Sequence, residues 1–178
     1  MNKRVVSCAV RWGLALAAGS IVAMPGMAAD PPLNPACPYR AVPVKTRACL
    51  LNTCALWVQV VTGDDGKCEV VVEADELKMG RNNRKGIIFW WLPALSGYEF
   101  RKEATPFNAP INFKGPNAPD APNQFEPSKV NLDGRSVTIV NENTNKKPYD
   151  YKVKVFKKGG GANDWLESKD PVIFNDGG

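Results

Sequence analysis

The chain has 178 residues, 44% of them hydrophobic, with 23 lysines and arginines against 18 aspartates and glutamates and no histidine. The missing histidine excludes Ser-His-Asp and Cys-His catalysis, a blue-copper centre and histidine-ligated zinc. A net charge of +5, most of it near the start, gives no concentrated basic face of the kind a nucleic-acid binder needs.

Residues 1–29 read as a signal peptide. Lys3, Arg4 and Arg11 supply positive charge, residues 12–24 form an apolar run broken at Pro25-Gly26, and Ala28 and Ala29 offer the small residues of a cut site. A retained anchor is the alternative, opposed by the short apolar core, and no second span follows. Cys8 lies before the apolar run and would leave with it. Cutting after Ala29 leaves 149 residues with 20 basic against 18 acidic side chains, net +2. That is one domain by size, burying about 70% of the surface its unfolded chain exposes. The expected location is the periplasm or the exterior.

Four cysteines remain, Cys37, Cys49, Cys54 and Cys68. An even number in an exported chain points to disulfides, and the spacings suit paired zinc ligands poorly. Three pairings are open. A hairpin around Gly63-Asp64-Asp65-Gly66 sets Cys68 opposite Val61 and Cys54 opposite Asp75, which separates Cys54 from Cys68 too far to bond. The leaning is to Cys37–Cys54 with Cys49–Cys68. The Asp-Gly tip is ordinary turn chemistry rather than a calcium loop, which needs spaced oxygen ligands and a closing glutamate.

Along the expected mature chain, residues 30–44 hold five prolines and read as an extended leader tied down by Cys37. Residues 47–54 are ambiguous, with a helical turn as one reading. Residues 56–61 and 69–74 form the first hairpin. Residues 73–79 extend the strand or make one helical turn. Arg81 to Gly86 is a basic loop. Residues 87–92, Ile-Ile-Phe-Trp-Trp-Leu, read as a central strand buried on both faces. Short strands are expected at 98–101, 111–113 and 124–126. Pro116, Pro119 and Pro122 at every third position suggest a polyproline-like surface loop over 114–123. Residues 137–140 and 149–155 are two strands, the second alternating strictly, and the turn-rich residues 141–148 between them predict a hairpin. Gly159 to Gly161 is a flexible break, and residues 170–175 form a last strand. Trp90, with Ile88 and Leu92, is the expected core, faced by Val137, Ile139, Tyr151 and Val153.

The fold class is therefore all-β: an antiparallel immunoglobulin-like β-sandwich with an N-terminal disulfide-bearing segment, a closed barrel being the alternative. The expected organisation is a signal peptide at 1–29, a Pro/Cys-rich segment at 30–55 and the sandwich at 56–178. The spaced residues Ile88-x-Trp90-x-Leu92, Gly97-Tyr98-x-Phe100, Val137-x-Ile139-x-Asn141-x-Asn143, Tyr149-x-Tyr151-x-Val153 and Asp170-Pro171-x-Ile173-x-Asn175 resemble a loose group of uncharacterised small secreted bacterial β-sandwich domains, immunoglobulin-like or cupredoxin-like. The likeness spans about residues 86–175. It implies a fold and no activity.

No catalytic residues, metal ligands or cofactor are expected. Glu73, Asp75 and Glu76 are the carboxylates a glycosidase-type hydrolase of an envelope polymer would draw on, but acidic residues beside turns are commonly just solvated. The favoured reading is a non-enzymatic binding or structural module of the cell envelope, with an unknown envelope protein or polymer as partner, no nucleic acid and no stable membrane span after cleavage. A subunit of an envelope assembly is a third reading. The candidate binding residues are Phe89 and Trp91, which alternate to the side opposite Trp90, rimmed by Arg81, Arg84 and Lys85. The competing account of Phe89 and Trp91 is cover by the chain's own Pro-rich residues 105–123.

Overall fold

A computed structural model describes residues 32–37, 39, 44–49, 52–102 and 109–177. The expected signal peptide and Cys8 lie outside the described residues, as does most of the Pro-rich leader. Among the described residues the strands are β1 (Val44–Ala48), β2 (Thr53–Thr62), β3 (Cys68–Val72), β4 (Ala74–Met79), β5 (Gly86–Trp91), β6 (Tyr98–Glu99), β7 (Ile111–Lys114), β8 (Lys129–Val130), β9 (Ser136–Asn141), β10 (Pro148–Lys157), β11 (Trp165–Glu167) and β12 (Val172–Asn175). One short helix, α1 (Ala121–Gln124), follows a 3-10 turn at Ala118–Asp120. The protein is all-β.

The strands make two sheets. One has five strands in the order β3-β2-β5-β9-β8. The other has seven, running β1-β4-β12-β10-β11, with β6 and β7 also on β10. Asp150 pairs with both Val172 and Lys114, and Phe156 with both Trp165 and Glu99. β12 and β11 therefore share one edge of β10, and β7 and β6 the other. The pairing is mixed rather than purely antiparallel: β1 with β4, β4 with β12, and β2 with β5 are parallel.

Period-two patterning builds both inner faces. Along β2, Cys54, Leu56, Val58 and Val60 point inward. Along β10, Tyr149, Tyr151, Val153 and Val155 do the same. Trp90, Ile88 and Leu92 are wholly buried, as expected. The Trp90 indole Nε1 donates to the Tyr151 hydroxyl across the core at 3.2 Å. Tyr151 faces Trp90 from the other sheet, and Val153 is buried on the same side of the same strand. Val137 and Ile139 are instead its lateral neighbours, paired with Trp90 and Ile88 in the same sheet.

The expected hairpin over 136–156 does not form. β9 belongs to the five-stranded sheet and β10 to the seven-stranded one, and residues 142–147 carry the chain between them. The Asn141 and Asn175 side chains bond each other reciprocally, at 2.7 and 3.2 Å. Asn143, in a left-handed conformation at φ 49°, donates to Gly80 O at 2.8 Å. These asparagines are bonded to the ends of β12 and β4 instead of closing a turn. Turn-forming composition fits a sheet-to-sheet arch as well as a hairpin, so the sequence alone favours neither.

The hairpin of β2 and β3 does form, one residue out of the expected register: Cys68 faces Thr62, and β3 ends at Val72. The chain changes sheet at Glu73, so Asp75 lies in β4 and faces no part of β2. Arg47 and Ala48 are in β1 rather than a helical turn. β1 is part of the seven-stranded sheet and β2 spans the expected boundary at 55, so the cysteine-bearing segment is built into the fold. Prolines 119 and 122 open the 3-10 turn and α1 instead of a polyproline stretch, because a fixed φ and a missing N–H suit the first turn of a helix. Gln124 closes α1 and Phe125 makes only an isolated bridge to Asn141.

The disulfides are Cys37–Cys68 and Cys49–Cys54, with Cα atoms 5.7 and 4.9 Å apart. Cys54–Cys68 is excluded as expected, but the favoured pairing is corrected. Cys68 sits at the turn end of the hairpin beside Thr62, whose hydroxyl donates to Cys37 O at 2.7 Å. Cys54 is at the opposite end of β2, about 26 Å away along the strand. Cys49 reaches it because Cys49 N bonds Lys78 O at the end of the adjoining sheet. Closing 31 residues restricts the unfolded chain by about 3.7 kcal/mol and closing five by about 2 kcal/mol on chain-entropy grounds.

Candidate functional site

β5 is central in its sheet yet buried on one side only. Gly86, Ile88 and Trp90 face the core, whereas Ile87 is 41% exposed and Phe89 and Trp91 are half-buried on the outer side. The expectation of burial on both faces is thereby corrected. Cross-strand register lays out three rungs on that outer side: Thr53–Ile87–Val140, Ala55–Phe89–Thr138 and Trp57–Trp91–Ser136.

The last rung is aromatic. Trp57, 39% exposed, meets Trp91 with ring centroids 3.7 Å apart and planes tilted by 49°. The Arg135 guanidinium carbon lies 5.9 Å from the Trp91 ring centre, within cation–π reach. On the other flank, Glu73 accepts from Trp57 N at 3.1 Å and forms an ion pair with Arg47. The strip thus has a cation at one end and a neutralised pair at the other.

Phe89 and Trp91 come together on one surface. Arg81, Arg84 and Lys85 lie in the loop entering β5, beside Ile87, and all three are exposed. Trp91 is five residues further along the strand, about 17 Å from the loop end. That loop is fixed by Gly86, where a Cβ would stand 2.5 Å from Met79 Cε and 3.1 Å from Asn83 O. Met79 Sδ in turn contacts both sulfurs of the Cys49–Cys54 disulfide, at 3.0 and 3.3 Å. Of the Pro-rich segment expected to cover Trp91, residues 105–108 lie outside the described residues. The described remainder belongs elsewhere: β7 pairs with β10, and Phe125 packs on Phe113 and Tyr149.

Two members of the strip went unnoticed in the sequence. Trp57 carried a signal: in the alternating run of β2 it falls on the side opposite Leu56, Val58 and Val60, where a polar residue is the ordinary choice. Arg135 carried none, since it merely follows an Asp-Gly turn.

The carboxylates considered for hydrolysis are otherwise engaged or separated. Glu73 is tied to Arg47, Glu76 pairs with Lys78 at 3.4 Å, and Asp75 is exposed. A different polar cluster lies at the arch. Asp120 accepts from Lys147, Tyr149 and Asn145 at 3.1, 2.9 and 2.8 Å. The Lys147 bond, with those of Tyr149 and Asn123, holds the Asp120 carboxyl below its ordinary range. Burial pushes the Tyr149 hydroxyl up to about 12. This cluster pins the α1 region to β10. Among the described residues no group of three or more His, Cys, Asp or Glu side chains is placed to hold a metal ion, and no helix is long and apolar enough to cross a membrane. No protein-family model matches the chain, and no curated protein sequence matches it.

Proposed function

We propose that this protein is an exported, non-enzymatic binding module of the cell envelope, periplasmic or secreted, that grips an extended envelope polymer across the outer side of its five-stranded sheet. The observation that carries the reading is the Trp57–Trp91 pair, left open on a sheet face that period-two patterning would make polar. Tryptophan and arginine are the side chains that most often anchor binding surfaces, and Arg135 stands over Trp91. An aromatic rung beside the partly exposed Gln59 and Thr138 suits the alternating apolar and hydroxylated faces of a sugar chain. The two disulfides fit an oxidising compartment, and the leader-like residues 1–29 fit export. The immunoglobulin-like kinship belongs to the same proposal, supported by a tryptophan buried between two facing sheets and by the arch that crosses between them. Hydrolysis draws no support, since Glu73 and Glu76 each face a cation.

The test is co-sedimentation with insoluble glycan from the envelope of the source cells. Wild-type protein should pellet with it, and Trp57→Ala/Trp91→Ala should stay in the supernatant while remaining folded. Equal pelleting of the two would place recognition elsewhere.

A further inference from the structure

A second surface, distinct from the aromatic strip, lies at one end of the fold. Three loops meet there: residues 92–97 between β5 and β6, the 131–135 turn between β8 and β9, and the 157–164 connection after β10. Leu92 N donates to Arg135 O at 2.8 Å and Phe100 N to Gly134 O at 2.7 Å, so both ends of the first loop hang from the second. Lys158 N donates to Gly97 O at 2.9 Å, which joins the third. Arg101 locks that third loop by donating to the carbonyls of Lys157, Gly160 and Gly161.

Two of these loops hold a leucine out into solvent. Leu95 is 85% exposed and Leu132 is wholly exposed. Neither is displayed by a loose chain. Around Leu95, Ser96 N donates to Pro93 O at 3.1 Å and Tyr98 N to the Ser96 hydroxyl at 3.2 Å. Around Leu132, Gly134 N donates to Asn131 O at 2.9 Å, Leu132 N to the Asn131 side chain at 2.8 Å and Arg135 N to Asp133 at 2.9 Å. Turn chemistry selects Gly, Pro, Asn, Asp and Ser, and it has no use for leucine. Folding gives no reason for either side chain.

The charge around them is unbalanced. Lys102, Lys157 and Lys158 are exposed and enter no ion pair among the described residues. Among the described residues the carboxylates at this end are Glu99, already paired with Arg101 at 2.8 Å, and Asp133 and Asp164, which accept from backbone N–H groups of their own turns. Apolar tips on joined loops that also carry surplus cations match a surface that is hydrocarbon inside and anionic at its headgroups. A protein partner fits less well. Leucine is under-represented at binding hot spots, and lysine is depleted in interface cores.

We propose that this end of the protein docks on an anionic phospholipid surface, inserting Leu95 and Leu132 at the headgroup boundary while Lys102, Lys157 and Lys158 meet lipid phosphates. The protein is thereby held by this end at the surface of an envelope membrane.

Protein purified from the cells that export it is to be sedimented with vesicles of phosphatidylglycerol mixed with phosphatidylethanolamine, and with phosphatidylcholine alone. Binding is expected to the first and not the second, and to weaken as salt rises. Leu95→Ser/Leu132→Ser should weaken it about tenfold or more. Lys102→Gln/Lys157→Gln/Lys158→Gln should remove most of the salt dependence. Both variants change exposed side chains, so an unshifted Tm confirms that the loss is one of binding. No sedimentation with phosphatidylglycerol vesicles, equal sedimentation with both kinds, or full binding by the leucine variant would each overturn the proposal. The leucine variant should still pellet with envelope glycan, so failure here and failure of the aromatic strip are read separately.

Discussion

Trp90 and Trp91 are consecutive on β5 and have opposite fates. The inner one is sealed between two sheets and hydrogen-bonded to Tyr151, while the outer one leans on Trp57 at the surface. The outer side of the seven-stranded sheet shows what a surface without such a strip looks like. There Lys152 lies between Glu167 and Asp170, Lys78 meets Glu76, and Phe156 is covered by Arg101 and Lys154, whose charges sit 4.9 and 5.0 Å from its ring. That side neutralises its own charges and covers Phe156, and Trp165, 40% exposed on the same side, carries the Lys154 ammonium 4.4 Å from its ring centre. The outer side of β5 pairs Glu73 with Arg47 but leaves Trp57 and Trp91 resting on each other and partly open. Apolar residues on both sides of a strand mean either double burial or a surface reserved for something else, and here they mean the second.

The largest effect that can test this contrast is on the inner side. Trp90→Ala should cost about 3–5 kcal/mol, the price of a cavity in a packed core, and a denaturation midpoint close to wild type would show that Trp90 is not central. An intermediate effect is expected at alkaline pH. Burial raises the ionisation of Tyr149 to about 12 and raises that of Tyr151 as well, the latter partly offset by the Trp90 hydrogen bond. The folded state holds these protons more tightly than the unfolded chain, whose tyrosines titrate near about 10. Their contribution is therefore complete below pH about 10 and is lost as pH rises through about 12. Tm should hold steady and then drop over that window, and Tyr149→Phe/Tyr151→Phe should blunt the drop. A wild-type Tm indifferent to pH there would mean that the inner side is wetter than described. The smallest effect belongs to the outer side. Trp57→Ala/Trp91→Ala should change stability by about 1–2 kcal/mol, the worth of a half-buried aromatic contact, well short of the core substitution. A loss comparable to that of Trp90→Ala would make the strip part of the core and remove the case for a binding surface.

Much of the strand content was legible because alternation is local. The runs in β2, β5, β9, β10 and β12 declare themselves in single segments, and so does the inward face of Trp90. Partnership was not legible. Cys37 pairs with Cys68 rather than Cys54 because of which end of β2 each approaches, and no spacing records that. The candidate site divides the same way: Phe89 and Trp91 could be read from alternation, but Trp57 reaches Trp91 only through the parallel pairing of β2 with β5. The basic rim expected from neighbouring sequence stands at the far end of the strand, and Arg135 takes that place from another sheet position.

The sequence by itself determined an all-β chain, four cysteines suited to disulfides, a tryptophan-centred core and the absence of histidine chemistry. These depend on residue type and on periods of two, which are properties of one segment at a time. Only the tertiary structure decided that the asparagine-rich link over 142–147 bridges two sheets, that β5 is open on one side, and that Leu95, Leu132 and their surrounding cations share one end of the fold. Those facts depend on which segments meet. Buried groups such as Asn141 and Asn175, thirty-four residues apart and bonded to each other, settle that meeting only once both sheets are in place.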